Sequence, residues 1–157
     1  MKKKEDYQVS EHFKYSEFVK TNHREYADKN WLEGEKFEDN IAYMARWLEA
    51  IRKVWGKPIV INSGYRCYEL NKAVGGAPSS NHRKACAVDI RCKSHDDAMQ
   101  MAQTILYVSA MAMCNHQLHN GDFDELLVEH VNNVWWVHFA ARDAWDANRK
   151  KVRLMKG

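Results

Sequence analysis

A histidine stands seven residues before an aspartate in the stretch 63–89, SGYRCYELNKAVGGAPSSNHRKACAVD, and another histidine lies inside WWVHFA; these are His82, Asp89 and His138. Two imidazoles and one carboxylate form a ligand set that holds zinc with one coordination position left open for water. That is how a metal hydrolase is built. A zinc hydrolase is therefore the hypothesis that the rest of the chain has to satisfy.

His82 and Asp89 can converge only if the residues between them fold back, and the small side chains at Ala85, Cys86 and Ala87 permit a tight approach. The hydrophobic pattern predicts the elements around them. Ser16 is placed to cap a short helix running to about Ala27, with Phe18 and Val19 inward. Phe37, Ile41, Met44, Leu48, Ile51 and Trp55 recur at spacings of three and four, an apolar stripe that should cross the core, and Gly56 stands where a left-handed C-cap is wanted. After Lys57-Pro58 the period changes. Residues 59–62 read as a short buried strand, Gly64 turns the chain, and 65–84 are loop-rich with one helical turn around 69–73. Residues 85–92 read as a strand with Cys86, Val88, Ile90 and Cys92 on one face and Ala87, Asp89 and Arg91 on the other. Ser94 with Asp97 forms a capping-box variant that opens a helix over 95–113, with Ala98, Met101, Ile105 and Val108 inward.

The last expected unit is a hairpin of 123–130 and 134–140 around Asn132-Asn133, because Asn tolerates positive φ. That register sets Val131 against Val134, Glu129 against Trp136 and Leu127 against His138. Glu129 and His138 then share a sheet face as diagonal neighbours ~7–8 Å apart at Cα, within reach of a common water. A turn displaced by one residue would make Asp124 or His130 the candidates instead. Trp135 and Trp136 point to opposite faces, one toward the core and one toward a cleft. The fold class expected is α+β: one domain over 1–157, core about 10–142 with frayed ends. A small antiparallel sheet carries the zinc site, backed by the 37–55 and 95–113 helices.

Composition agrees with one compact domain: 157 residues, 45% hydrophobic, with six Trp, seven Tyr and five Phe to fill a core. A net charge of +3 spread along the chain argues against a nucleic-acid partner, which would need a concentrated basic face. No apolar run follows the basic start Met1 to Lys4, with its three lysines, and no apolar stretch is long enough to span a membrane. The expectation is a monomer without a signal peptide, made in the cytoplasm. Cys67, Cys86, Cys92 and Cys114 are then free thiols, and without a C-x-x-C pair they form no zinc knuckle. No calcium loop of the D-x-[DN]-x-[DN]-G type occurs. His116, His119, His130, Asp122 and Asp124 fit no ligand pattern and are expected on the solvated surface.

SGYR, the following LNKAVGGAPSSNH, the step from His82 to Asp89 and the terminal WWVHF together resemble the zinc D-Ala-D-Ala carboxypeptidase family, which includes L,D- and D,D-endopeptidases. The likeness runs from HFKYSEF to HFA and is nearest to the single-domain branch of phage lysis enzymes and cell-wall peptidases. Ser80, His82, Ala87 and Asp89 match the family string S-x-H-x-x-G-x-A-x-D, while Ala85 stands where Gly is usual. Many relatives carry the catalytic acid three residues before the last histidine, where this chain has Trp135; Glu129 is similar to the acid that the single-domain branch carries on the preceding strand. The resemblance implies zinc on His82, Asp89 and His138, with Glu129 as general base. It implies Arg66 and Ser80 at the substrate, a peptidoglycan peptide cut by an endolysin-like enzyme that reaches the wall after release. The competing expectation is a non-catalytic zinc-containing module of the same fold, as in hedgehog-type domains, which would have no need of an acid facing the metal.

Overall fold

The computed structural model describes residues 3–154. Helix α3, Glu38–Trp55, carries the apolar stripe: Ile41, Met44, Leu48 and Ile51 are fully buried. Its end is set by Gly56, whose φ of 79° lets its N–H donate to the Arg52 carbonyl at 2.8 Å. Helix α5, His95–Met111, begins where Ser94 Oγ accepts from the Asp97 N–H at 3.1 Å, and buries Ala98, Met101, Ile105 and Val108. It stops short of the expected Met113, because Ala112 leaves helical geometry and closes the last turn back onto Ser109 and Val108.

The N-terminal expectation needs correction. Helix α1 spans only Tyr15–Val19 and is capped at Lys14, whose N–H donates to Glu17 Oε2 at 2.7 Å. Ser16 lies inside the first turn, and its hydroxyl donates to Asp6 Oδ2 at 2.6 Å. Lys20 is extended, so the chain restarts through a 3-10 turn at Arg24–Tyr26 into helix α2, Ala27–Gly34. Asn30 of α2 is fully buried and explains why this helix is needed. Its amide donates to the carbonyls of Val19 and Tyr65 at 2.7 and 3.0 Å and accepts from the Cys67 N–H at 2.7 Å, fixing the backbone on both sides of Arg66.

Strands β1 (Ile61–Ser63), β2 (Ala87–Cys92), β3 (Glu125–Val131), β4 (Val134–Ala140) and β5 (Lys151–Arg153) form one sheet in the order β1-β2-β4-β3-β5, antiparallel except for β3 with β5. Between β1 and β2 the chain makes the short helix α4, Tyr68–Ala73, and the loop that leads to His82. The first strand starts later than the 59–62 reading, beyond Pro58. Val60 still accepts from the Arg91 N–H at 2.9 Å across an irregular ladder. One sheet face, with Val88, Ile90, Leu126, Val128, Val137 and Phe139, is buried under α3 and α5, where Trp47 meets Phe139 edge-on at 5.1 Å. The opposite face carries Asp89, His138, Glu125 and Glu129. The β3–β4 hairpin has the expected register about Asn132, which takes a φ of 55°. All four cysteines are free thiols.

Strand β5 had no signal in the periodicity. It is held by Asp124, which is 0% exposed and therefore not on the solvated surface. Arg149 donates to Asp124 through its backbone N–H at 2.9 Å and its Nη2 at 2.8 Å, and Asn81 Nδ2 donates at 2.7 Å. Burial alone would raise the pKa of this carboxyl; the hydrogen bonds from Arg149 and Asn81 outweigh it and hold the carboxyl down at about 2. A depressed carboxyl stabilises the fold above the unfolded value of ~3.9 and loses that contribution as the pH falls through the folded value. With Arg149 half exposed to solvent, the contribution is on the order of 1–2 kcal/mol. Urea titrations of metal-stripped protein should show the stability gap between wild type and Asp124→Asn shrinking by that amount between about pH 5 and pH 2. Curves that stay parallel across this window would reject the ion pair as the lock on β5.

Candidate metal centre

Asp89 of β2 and His138 of β4 are direct partners across an antiparallel ladder, so their side chains leave the same face. His138 Nδ1 lies 3.1 Å from Asp89 Oδ1. His82 arrives from a different element, the 3-10 turn Asn81–Lys84, which Ser80 caps by accepting the His82 N–H at 3.2 Å. Immediately after that turn Ala85 adopts a φ of 59°, and Cys86 N–H reaches back to the Asn81 carbonyl at 2.9 Å. This is the fold-back that brings two residues seven apart to one point. Ala in the left-handed region costs ~1–2 kcal/mol. The Gly expected there would lose a buried methyl, ~0.8 kcal/mol, and add ~0.5–1 kcal/mol of chain entropy, so the terms nearly cancel and Ala is tolerated.

Gly64 has a different reason. A Cβ there would stand 2.4 Å from the Phe18 carbonyl oxygen, because Tyr65 N–H is bonded to that carbonyl at 2.7 Å. The close approach places the Gly64 carbonyl 2.7 Å from His82 Nδ1. A carbonyl only accepts, so Nδ1 carries the proton and Nε2 presents a lone pair. That Nε2 is buried, has no hydrogen-bond partner among the described residues, and points at Asp89 Oδ1 from 3.3 Å.

Two acceptors facing each other in the interior need a cation between them. Burial would raise the Asp89 pKa, yet positive charge on the His82 and His138 rings, when they carry it in a cation's place, holds the carboxyl well below the usual carboxylate range. Burial would lower that of His138, but hydrogen bonds to Asp89 and Glu125 push it up to about 9. The site thus stabilises positive charge at its centre. One ligand atom each from His82, Asp89 and His138 lies within 4.8 Å of the others, a nitrogen–nitrogen–oxygen set suited to zinc with a position to spare. Glu33, Cys67 and Glu69 also converge, but Lys29 Nζ sits 2.6 Å from Glu69 and supplies the charge there itself.

A cleft of about 470 Å³ opens over the donor set and is lined by Arg66, Ser80, Glu125, Glu129, Trp136 and Arg149 among others. Glu129 pairs with Trp136 across the hairpin and accepts its indole N–H at 3.1 Å, with Arg153 Nη2 at 3.6 Å. Trp136 is thus the cleft wall, while Trp135 packs on the core side. Arg66 is half-buried and forms no ion pair among the described residues; Nη1 donates to Asn71 Oδ1 at 3.2 Å. Desolvation lowers its pKa while the charges of Asp89 and Glu129 oppose that, so a cation faces the donor set with no carboxylate bound to it. One more expectation needs correction beside Asp124. His119 is 9% exposed, its Nε2 2.7 Å from Asp143 Oδ1, and stacks edge-on to Trp145. Glu125, which no motif marks, has its Oε1 3.0 Å from His138 Nε2.

A protein-family model described as Peptidase M15 matches residues 11–121, well over half of the chain. The matched segment contains Arg66, Ser80, His82 and Asp89 and ends before Glu129 and His138, so the third donor comes to the site by the strand register alone. No curated protein matches the chain significantly. A family model over that much of the sequence, and an α+β fold that gathers a His-Asp-His set, place this chain in the Peptidase M15 family, the zinc D-Ala-D-Ala carboxypeptidase family of metallopeptidases.

Proposed function

We propose that this protein hydrolyses peptide bonds within peptidoglycan stem peptides or their cross-links, with zinc on His82, Asp89 and His138 and Glu129 as general base. The observation that carries the reading is a single cleft shared by that donor set, the Glu129 carboxylate and the Arg66 guanidinium. Zinc bound there would supply a Lewis acid that polarises the scissile carbonyl and lowers the pKa of a water toward ~7. Glu129 takes the proton of the attacking water and delivers it to the leaving amine. The Trp136 indole N–H holds one oxygen of Glu129 and fixes its direction. Arg66 offers a planar fork to a substrate carbonyl or carboxylate. Ser80 shapes the turn under His82 and lines the same wall.

Two acids could serve as base, and their surroundings separate them. Glu125 is tied to His138, with Asn81 and Arg149 also against it, and is held down to about 2, so it is a poor proton acceptor near neutrality. Glu129 is bound by one indole N–H and a longer arginine contact. A module that only binds would have no use for that accessible acid. Beyond Asp89 the cleft continues into a second hollow of about 360 Å³ lined by Lys20, His23, Asn62, Arg66 and Trp136. Room on both sides of the donor set favours cutting inside a stem or cross-link over removing a terminal residue. This reading puts the work of the enzyme at the cell wall.

Metal analysis should find about one zinc per chain, with His138→Ala sharply lowering it. Full retention in alanine variants of all three ligands would sink the assignment. Glu129→Gln keeps shape and hydrogen bonding but cannot accept a proton, so it should retain zinc and lose ~10²-fold or more of the hydrolysis rate. Mass spectrometry of muropeptide digests reads that rate and names the bond. Wild-type rates in the Gln variant would pass the role to another residue; no hydrolysis by zinc-loaded wild type would favour the binding module.

A further inference from the structure

The two imidazoles of the site are held in opposite ways. His82 gives Nδ1–H to a backbone carbonyl and turns Nε2 inward. His138 turns Nδ1 toward Asp89, leaving Nε2 on the far side of the ring, 3.0 Å from Glu125 Oε1. His138 is 8% exposed, so whatever Nε2 carries must be satisfied by the protein. An imidazole that gives its Nδ1 lone pair to a cation has its proton on Nε2, and a carboxylate is the strongest acceptor for it.

We propose that Glu125 is a positioning residue of the metal centre, holding the Nε2–H of His138 so that Nδ1 is the atom offered to the metal. It is not a ligand, because it stands on the ring edge opposite Asp89. Nor is it the base, because both of its oxygens are engaged: Oε1 accepts from Asn81 Nδ2 at 2.8 Å as well as facing His138, and Oε2 lies 3.5 Å from Arg149 Nη2. Asn81 and Arg149 also hold Asp124, the residue just before Glu125, at 2.7 and 2.8 Å. The acid is therefore immobilised on its backbone side and its carboxylate side before any metal arrives. Its neighbour Asn81 precedes the ligand His82, so one amide fixes the acid behind one imidazole and the turn that delivers the other. A carboxylate behind a ligating histidine raises the donor strength of the ring, and outer partners of this kind are worth roughly 10- to 100-fold in metal affinity.

The inference rests on the metal reading above, and the test separates the two. Zinc affinity by chelator competition, and the visible spectrum of the cobalt-substituted protein, are measured for wild type, Glu125→Ala and Glu125→Gln. The Ala variant should bind zinc roughly 10- to 100-fold more weakly with an altered cobalt spectrum, and the Gln variant, whose amide oxygen still accepts from Nε2–H, should recover most of the loss. Histidine-ring nitrogen resonances of the zinc-loaded wild type decide the atom without any variant. They should show Nδ1 bound and Nε2 protonated for His138, and the reverse for His82. Nε2 binding by His138, or an Ala variant with wild-type affinity and spectrum, overturns the role of Glu125 and leaves the metallopeptidase standing. A wild type that binds no zinc overturns both.

Discussion

An imidazole lone pair in the interior and a half-buried carboxylate 3.3 Å from it repel unless something positive joins them. Much of this molecule can be understood from that one constraint. The carbonyl of Gly64 sets it up, by accepting the Nδ1 proton of His82 and leaving Nε2 turned toward Asp89. Gly64 can sit there only because it lacks a Cβ, and it is drawn there because the next residue is bonded to the backbone of α1. Asn30 then ties α1 and α2 to the same loop from the other side. The N-terminal helices, remote from the donors in sequence, thereby set the tautomer of His82.

Much of the site was legible because its parts obey short-range rules. The step from His82 to Asp89 is local, and the two-residue period of the strands turns a guess at one turn into a register for every pair in the hairpin. Asn132 fixed that register, and the pairing of Glu129 with Trp136 followed. The same arithmetic selects Glu125 as readily as Glu129: each lies two residues from Leu127, the partner of His138, on the same face. The signal was present and pointed to two acids, of which only one matched a familiar position.

The rest was illegible for a physical reason. Strand β5 is three residues long and wholly exposed, so it has no apolar period to read. What holds it are ion pairs between residues some 25 apart in the chain, Arg149 with Asp124 and Arg153 with Glu129. Charged residues in sequence read as solvated surface, and Asp124 does so until its partners are known. His119 reads the same way in sequence, since its burial depends on Tyr43 and Trp145 closing over it from distant elements. The Ser16 cap failed by competition. Glu17 satisfied the Lys14 N–H first, and the serine hydroxyl found Asp6 instead.

Three acids on one sheet face show how partners alone assign roles. Asp89 faces two imidazoles and is left with oxygens for a cation. Glu125 faces the back of one imidazole, an amide and a guanidinium, so its charge is spent on holding the ring. Glu129 faces an indole N–H and a guanidinium at the cleft edge, and retains an accessible carboxylate. Nothing in the side chains distinguishes Glu125 from Glu129. Their difference comes from the C-terminal segment and the Asn81 turn, which close over the first and leave the second at the cleft. Environments that push like groups toward unlike behaviour are how a protein divides acid–base labour. Here the division runs along one strand, with Glu125 and Glu129 four positions apart and with Arg149 against the first and Arg153 against the second.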